Sequence, residues 1–182
     1  MMKLLVATEA MFFLCLIMAF IYLSIIAGYK PAEENALSIT STGIFSIFLV
    51  ASSGTFMLAE RGYKKSNTTS MKGWLAATIF LAIIFLFGQG KEYVHLIHAE
   101  QITLGSSLFG TGFFTLTGFH GLHVVIGILL LSVLLIMAML GDFKKPGSNL
   151  LSTAGIYWHF VDIVWIVVFT VIYVLPKFNL IK

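Results

Sequence analysis

The sequence predicts an all-α polytopic membrane protein, one bundle of five transmembrane helices, and three observations carry that reading. Hydrophobic residues make up 59% of the 182 and charged ones only 10%, with a mean hydropathy of +0.99, far from the composition of a soluble globular domain. Apolar runs long enough to cross the hydrocarbon core, which takes about 20 helical residues, recur five times. The connections between them are short, none has the composition of an interdomain linker, and no internal repeat suggests the inverted halves of a transporter. Residues 1–182 therefore read as a single transmembrane helical domain.

The first helix is expected at residues 4–27, ended by Pro31 in "YKPAEEN". Lys3 ahead of an apolar stretch imitates a secretory signal, but Thr8 and Glu9 interrupt that stretch and no convincing small-residue cleavage site follows. The second helix is expected at 39–59 and the third at 74–94, joined by the polar "ERGYKKSNTTSMKG", which reads as a loop. The fourth, at 108–140, is longer than a bilayer requires, so it either tilts or stands partly in water. "GDFKKPGSN" separates it from the fifth, at 150–175.

The net charge of +3 would suggest nucleic acid in a soluble protein, but here the cations sort by side of the membrane. Lys3, Arg61, Lys64, Lys65, Lys72, Lys144 and Lys145 share one side. Lys30, Lys91, Lys177 and Lys182 share the other with Glu33, Glu34, Glu92 and Glu100. The positive-inside rule then puts the N-terminus in the cytoplasm and the C-terminus outside, with no nucleic-acid partner. Cys15 is the one cysteine, so this chain builds neither a disulfide framework nor a thiolate metal site.

Polar side chains inside apolar helices are expensive and need partners. Helix four carries His120 and His123, three apart and so on roughly one side, able to meet a common partner. Gly110, Phe114, Thr117 and Gly121 share another face of that helix, and small residues there let two backbones approach closely. Helix five carries His159 and Asp162, bracketed by Trp158 and Trp165. Counting about 1.5 Å per residue along antiparallel helices puts His123 and Asp162 at similar depth, with His159 about a turn toward the cytoplasm, which allows a carboxylate and imidazoles to hydrogen-bond across the two. Glu9 lies one to two turns inside helix one with no cation within reach, so nothing local neutralises it and it needs a partner from another helix or another chain. Gln89, Glu92 and Tyr93 share a face of helix three near the outer surface, where side chains can be wet. His95, His98 and Glu100 lie there too; their spacing formally permits a metal, and solvated interfacial side chains are the ordinary reading. The intramembrane cluster admits three readings: a structural network that fixes helix register, a bis-His haem, or a proton relay through Glu9, Asp162 and the histidines.

Four segments carry a family resemblance. "TGFHGLHVVIG" (Thr117 to Gly127) and "YWHFVDIVWIVVF" (Tyr157 to Phe169) resemble the signature segments of subunit III of haem–copper terminal oxidases. "EAMFF" (Glu9 to Phe13) resembles the start of that family's third helix and "FGQGKEY" (Phe87 to Tyr93) the end of its fifth, all in family order. The resemblance implies a short, five-helix bacterial form in the cytoplasmic membrane, a subunit without catalytic, metal or redox centres of its own. Haem and copper would sit in the partner subunits I and II, and bound phospholipid is allowed. It also implies that His120, His123, His159, Asp162 and Thr117 form a packed polar network and that Glu9, the family's intramembrane glutamate, contacts subunit I and supports proton uptake. Long-form members place basic lipid-phosphate partners where Met137 and Leu140 stand here, so no lipid site is carried over. The alternatives are an accessory subunit of a nitric oxide reductase and, in another class, a free-standing proton-linked transporter.

Overall fold

The computed structural model describes residues 2–27, 39–99, 101–105, 107–141 and 149–176. They form five helices, each long and apolar enough to cross a membrane. Lys30, Pro31, Glu33, Glu34, Glu100, Lys144, Lys145, Lys177 and Lys182 lie outside the described residues, together with their share of the charge pattern.

Helix α1, Met2–Ala27, buries Phe13, Ile17, Phe20 and Ser24, a four-three-four spacing that lines one face. The rest of its circumference exposes Leu4, Met11, Leu14, Met18 and Ile25, with Cys15 among them. Such a surface suits hydrocarbon or another apolar helix, where it costs nothing to leave uncovered by this chain.

Helices α2, Ile39–Lys64, and α3, Thr68–His98, make the most intimate pair in the bundle. The polar segment read as a loop is helical except at residues 65–67. Local chemistry explains the difference. Arg61 and Lys64 occupy the last turn of α2, where cations complement the carbonyl end of the helix dipole. Asn67 caps α3, its side-chain oxygen accepting from the Ser70 N–H at 3.0 Å. Gly62 lets the two helix ends meet, since a Cβ there would stand 2.9 Å from the Met71 nitrogen.

Helix α4, Leu108–Leu140, starts at Ser107, whose hydroxyl accepts from the Gly110 N–H at 3.0 Å, and stops at Gly141, left-handed with φ 94°. Helix α5, Leu150–Phe169, continues into a π turn over Thr170–Val174, closed by Leu175 N–H donating to the Thr170 carbonyl at 3.0 Å. Helix α2 packs on α3, α3 on α4, α4 on α5 and α5 back on α2, closing a ring of four, and α1 lies along the groove between α4 and α5. The wholly buried Trp158 and Trp165 of α5 fill the interior. Gly127 of α4 makes room for the first, since a Cβ there would stand 2.7 Å from the Trp158 ring.

Candidate functional site

The polar side chains within the helices assemble into three clusters, and their membership differs from what spacing along single helices suggests. The first joins α1 to α4. Glu9 lies four residues before Phe13, on the inward stripe of α1, and its Oε2 stands 3.1 Å from His123 Nε2. His123 Nδ1 lies 2.7 Å from the Phe119 carbonyl. A carbonyl only accepts, so Nδ1 carries a proton, and Nε2 faces a carboxyl oxygen. One further proton must therefore sit between Nε2 and Oε2, either as imidazolium with carboxylate or as neutral imidazole accepting from a carboxylic acid. Tyr157 of α5 braces the site by donating its O–H to the His123 carbonyl at 3.1 Å, and Phe13 sets its ring edge-on at 4.9 Å. The Glu9 side chain keeps 31% of its surface exposed against 11% for His123, so the pair opens outward at the carboxyl.

The second cluster joins α2 to α5. Ser53 donates its hydroxyl to Asp162 Oδ2 and stands 2.9 Å from His159 Nδ1, so one serine oxygen links carboxyl and imidazole. Two more serines of α2 meet the indoles that bracket this site: Trp158 Nε1 donates to Ser52 Oγ at 3.1 Å and Trp165 Nε1 to Ser46 Oγ at 2.8 Å. These serines escaped sequence reasoning, although Ser46 and Ser53 stand a heptad apart in α2, the pattern of small polar residues at a helix interface.

The third lies between α3, α4 and the end of α5. Gln89 Nε2 donates to the Thr117 carbonyl at 3.0 Å, and the Tyr93 hydroxyl meets Thr117 Oγ1 at 2.7 Å. The Tyr173 hydroxyl, delivered by the π turn, donates to Glu92 Oε2 at 2.8 Å. Gln89 and Glu92 are buried and Tyr93 half-buried. This face is thus not a wet one: these side chains turn into the bundle because Thr117 and Tyr173 offer them partners there. Thr117, Phe114 and Gly121 do lie toward α3, with Phe114 edge-on to Tyr93 at 5.0 Å and the site of a Gly121 Cβ 3.6 Å from Gln89 Oε1. Gly110 is buried at the start of α4. His95 and His98 are exposed at the end of α3.

Two further readings are corrected. His123 pairs with Glu9, and Asp162 with Ser53, so carboxylate and imidazoles do not bond across α4 and α5 as similar depth allowed. His120 and His123 do not share a partner either. His120 is wholly buried, stacked on Trp165 at 4.8 Å and 28°, with Phe85 edge-on at 6.0 Å, and neither ring nitrogen has a hydrogen-bond partner. Positions three apart on a helix diverge by about 60°, enough to send one ring toward α5 and the other toward α1. Rings occupy the space a haem would need beside His120. Among the described residues, no group of three or more His, Cys, Asp or Glu side chains is placed to hold a metal ion.

Fold and site together define a multi-pass integral membrane protein with three clusters of intramembrane polar groups paired across helix interfaces. The family model for cytochrome c oxidase subunit III matches residues 1–176. Similar proteins include cytochrome c oxidase subunit 3 of Synechocystis sp., 37% identical over 92% of this chain and 71% of the relative. The probable cytochrome c oxidase subunit 3 of Nocardia farcinica is 36% identical over 92% of this chain and 82% of its own length. Cytochrome c oxidase subunit 3 of Thermostichus vulcanus is 33% identical over 94% of this chain and 84% of its own length. The chain belongs to the cytochrome c oxidase subunit III family, and with its five spans it is a multi-pass protein of the bacterial cytoplasmic membrane.

Proposed function

We propose that this chain seats on the large haem–copper subunit of its oxidase, beside the copper-binding subunit II, with its N-terminus in the cytoplasm, and that Glu9 sustains proton delivery at that contact. The observation that carries the reading is the Glu9–His123 pair. Its nitrogen and oxygen lie 3.1 Å apart at the margin of α1, where Leu5 and Phe12, one turn to either side of Glu9, are themselves exposed. An apolar helix face with one open carboxyl at its edge suits a neighbouring transmembrane subunit, since lipid tails offer that carboxyl no partner. Membrane lipid covers the remaining apolar circumference. Haem and copper belong to the partner subunits, and this chain supplies packing and a protonatable pair rather than reacting atoms.

The test is to extract the tagged chain from native membranes in mild detergent and identify what copurifies by mass spectrometry. Recovery of the large haem–copper subunit with its copper-binding partner is the expected result; recovery alone, or with nitric oxide reductase subunits, would overturn the reading. In the recovered complex, Glu9→Gln should leave assembly intact and lower turnover that is sustained over many cycles. An unaltered rate and proton stoichiometry over prolonged turnover would remove Glu9 from the role.

A further inference from the structure

The second cluster opens into a cleft that the Glu9 reading does not use. Along α2 and α5 runs an apolar groove of about 510 Å³, lined by Gly43, Ile47, Val50, Trp165, Ile166 and Phe169. Sharing Val50 and Ile166 with it, a second hollow of about 290 Å³ is lined by Ser53, Met57, His159, Asp162 and Ile163. Gly43 to Met57 covers about 21 Å along the helix at 1.5 Å per residue. The cleft is therefore a long hydrocarbon slot with its polar groups gathered at one end.

Those groups form a directed chain. With Asp162 ionised, Ser53 donates to Oδ2 and accepts from His159 Nδ1–H, which leaves a lone pair on Nε2 of a ring that lines the cleft. A proton arriving at Nε2 changes every link: Nδ1–H passes to Ser53, and the Ser53 proton passes to Asp162. The chain then holds one more proton, and Nε2 is a donor. One charge is gained and one neutralised, so His159 presents an acceptor in one state and a donor in the other, with the extra proton stored on the carboxyl.

We propose that this cleft binds a membrane quinone or quinol, the ring against His159 Nε2 and the isoprenoid tail along α2 and α5. A quinol hydroxyl donates to the lone-pair state; a quinone carbonyl accepts from the protonated state. Depth argues for this occupant over a phospholipid. Ser53 lies seven residues from Glu60, the charged side chain where the apolar stretch of α2 ends, about 10 Å along the helix, where acyl tails bring no hydrogen-bonding group. The apolar groove in turn fits a long unbranched or isoprenoid chain better than a small soluble ligand, and its volume is that of an ordinary ligand site.

The experiment is photolabelling of the detergent-purified assembly, in nanodiscs, with an azido-quinone bearing an alkyl tail, followed by peptide mapping. Adducts are expected on peptides carrying Val50–Met57 and Ile163–Phe169, displaced by excess unlabelled quinone but not by a long-chain alcohol. His159→Leu should weaken labelling about tenfold, the loss of one hydrogen bond. Ile166→Trp, at an exposed position that tolerates bulk, should block the tail and abolish it while leaving the serine links intact. Labelling absent from these peptides, equal displacement by the alcohol, or labelling only after neighbouring subunits are stripped away would each overturn the proposal. The last outcome would mean that a partner helix fills the cleft. The result does not depend on the Glu9 reading, because labelling is scored on this chain whatever copurifies.

Discussion

Glu9 on α1 and His123 on α4 share a proton across 3.1 Å because the Phe119 carbonyl, 2.7 Å from His123 Nδ1, commits the other ring nitrogen to donation. Helix α1 otherwise meets α4 and α5 through Phe13, Ile17 and Phe20, whose burial gains little in a bilayer, where lipid tails are as apolar as the interface. The hydrogen-bonded pair is thus expected to set where α1 docks.

A double-mutant cycle with Glu9→Ala and His123→Ala measures this. A coupling of about 1 kcal/mol is expected, near the upper part of the range for hydrogen bonds between transmembrane helices. The readout is thermal unfolding of the purified complex in detergent. Additive single effects would mean that the pair contributes nothing to docking.

The π turn at the end of α5 brings the Tyr173 hydroxyl to Glu92 Oε2 at 2.8 Å, in a buried setting that also holds Thr42. Tyr173→Phe removes one oxygen and little volume. The expected cost is about 1 to 3 kcal/mol, the penalty of stranding a buried acceptor, seen as a lower midpoint in thermal unfolding. An unchanged midpoint would indicate that Glu92 finds another donor.

Glycines test the packing of α4 on α5. A Cβ at Gly127 would meet the Trp158 ring at 2.7 Å, and the indole is held on its far side by Ser52, so the ring has little freedom to withdraw. Gly127→Ala should cost about 1 to 3 kcal/mol through overpacking. Gly90→Ala is the control, because nothing stands within 4 Å of its Cβ position. Equal behaviour of the two variants in a chaotrope melt would contradict the close approach.

Apolar run length was enough to find the five helices, because a bilayer demands about 20 residues and tolerates few charges. The turn between α2 and α3 was not legible from polarity: residues such as Arg61 and Lys72 extend helices readily once the ends are capped, and the cap at Asn67 depends on a side-chain geometry that composition does not encode. Glu9, His123 and Asp162 stood out as intramembrane polar residues, but their partners did not. Spacing on one helix fixes a direction, whereas pairing depends on which neighbour occupies that direction, and the His123 ring meets Glu9 of α1 while α5 reaches only its backbone carbonyl through Tyr157. Ser53 was hidden for a related reason: serine is ordinary in transmembrane helices, and its role appears only when α5 brings His159 and Asp162 to it.

His120 poses the sharpest contrast with its neighbour in sequence. It is wholly buried, stacked on Trp165 at 4.8 Å, edged by Phe85 at 6.0 Å and Phe13 at 6.5 Å, and both ring nitrogens lack partners. An aromatic ring that packs on three others while stranding two polar atoms is held there by shape. His120→Phe keeps the stack and removes the stranded atoms, so it should leave stability unchanged or raise it, since replacing unsatisfied polar groups by apolar ones of similar shape is close to neutral. His120→Ala leaves a cavity beside Trp165 and should cost about 2 to 4 kcal/mol. Thermal unfolding of both variants in the assembled complex separates the two contributions. If His120→Phe destabilised as much as His120→Ala, the imidazole nitrogens would have to be bonded in the native assembly, and His120 would then belong to a polar network after all.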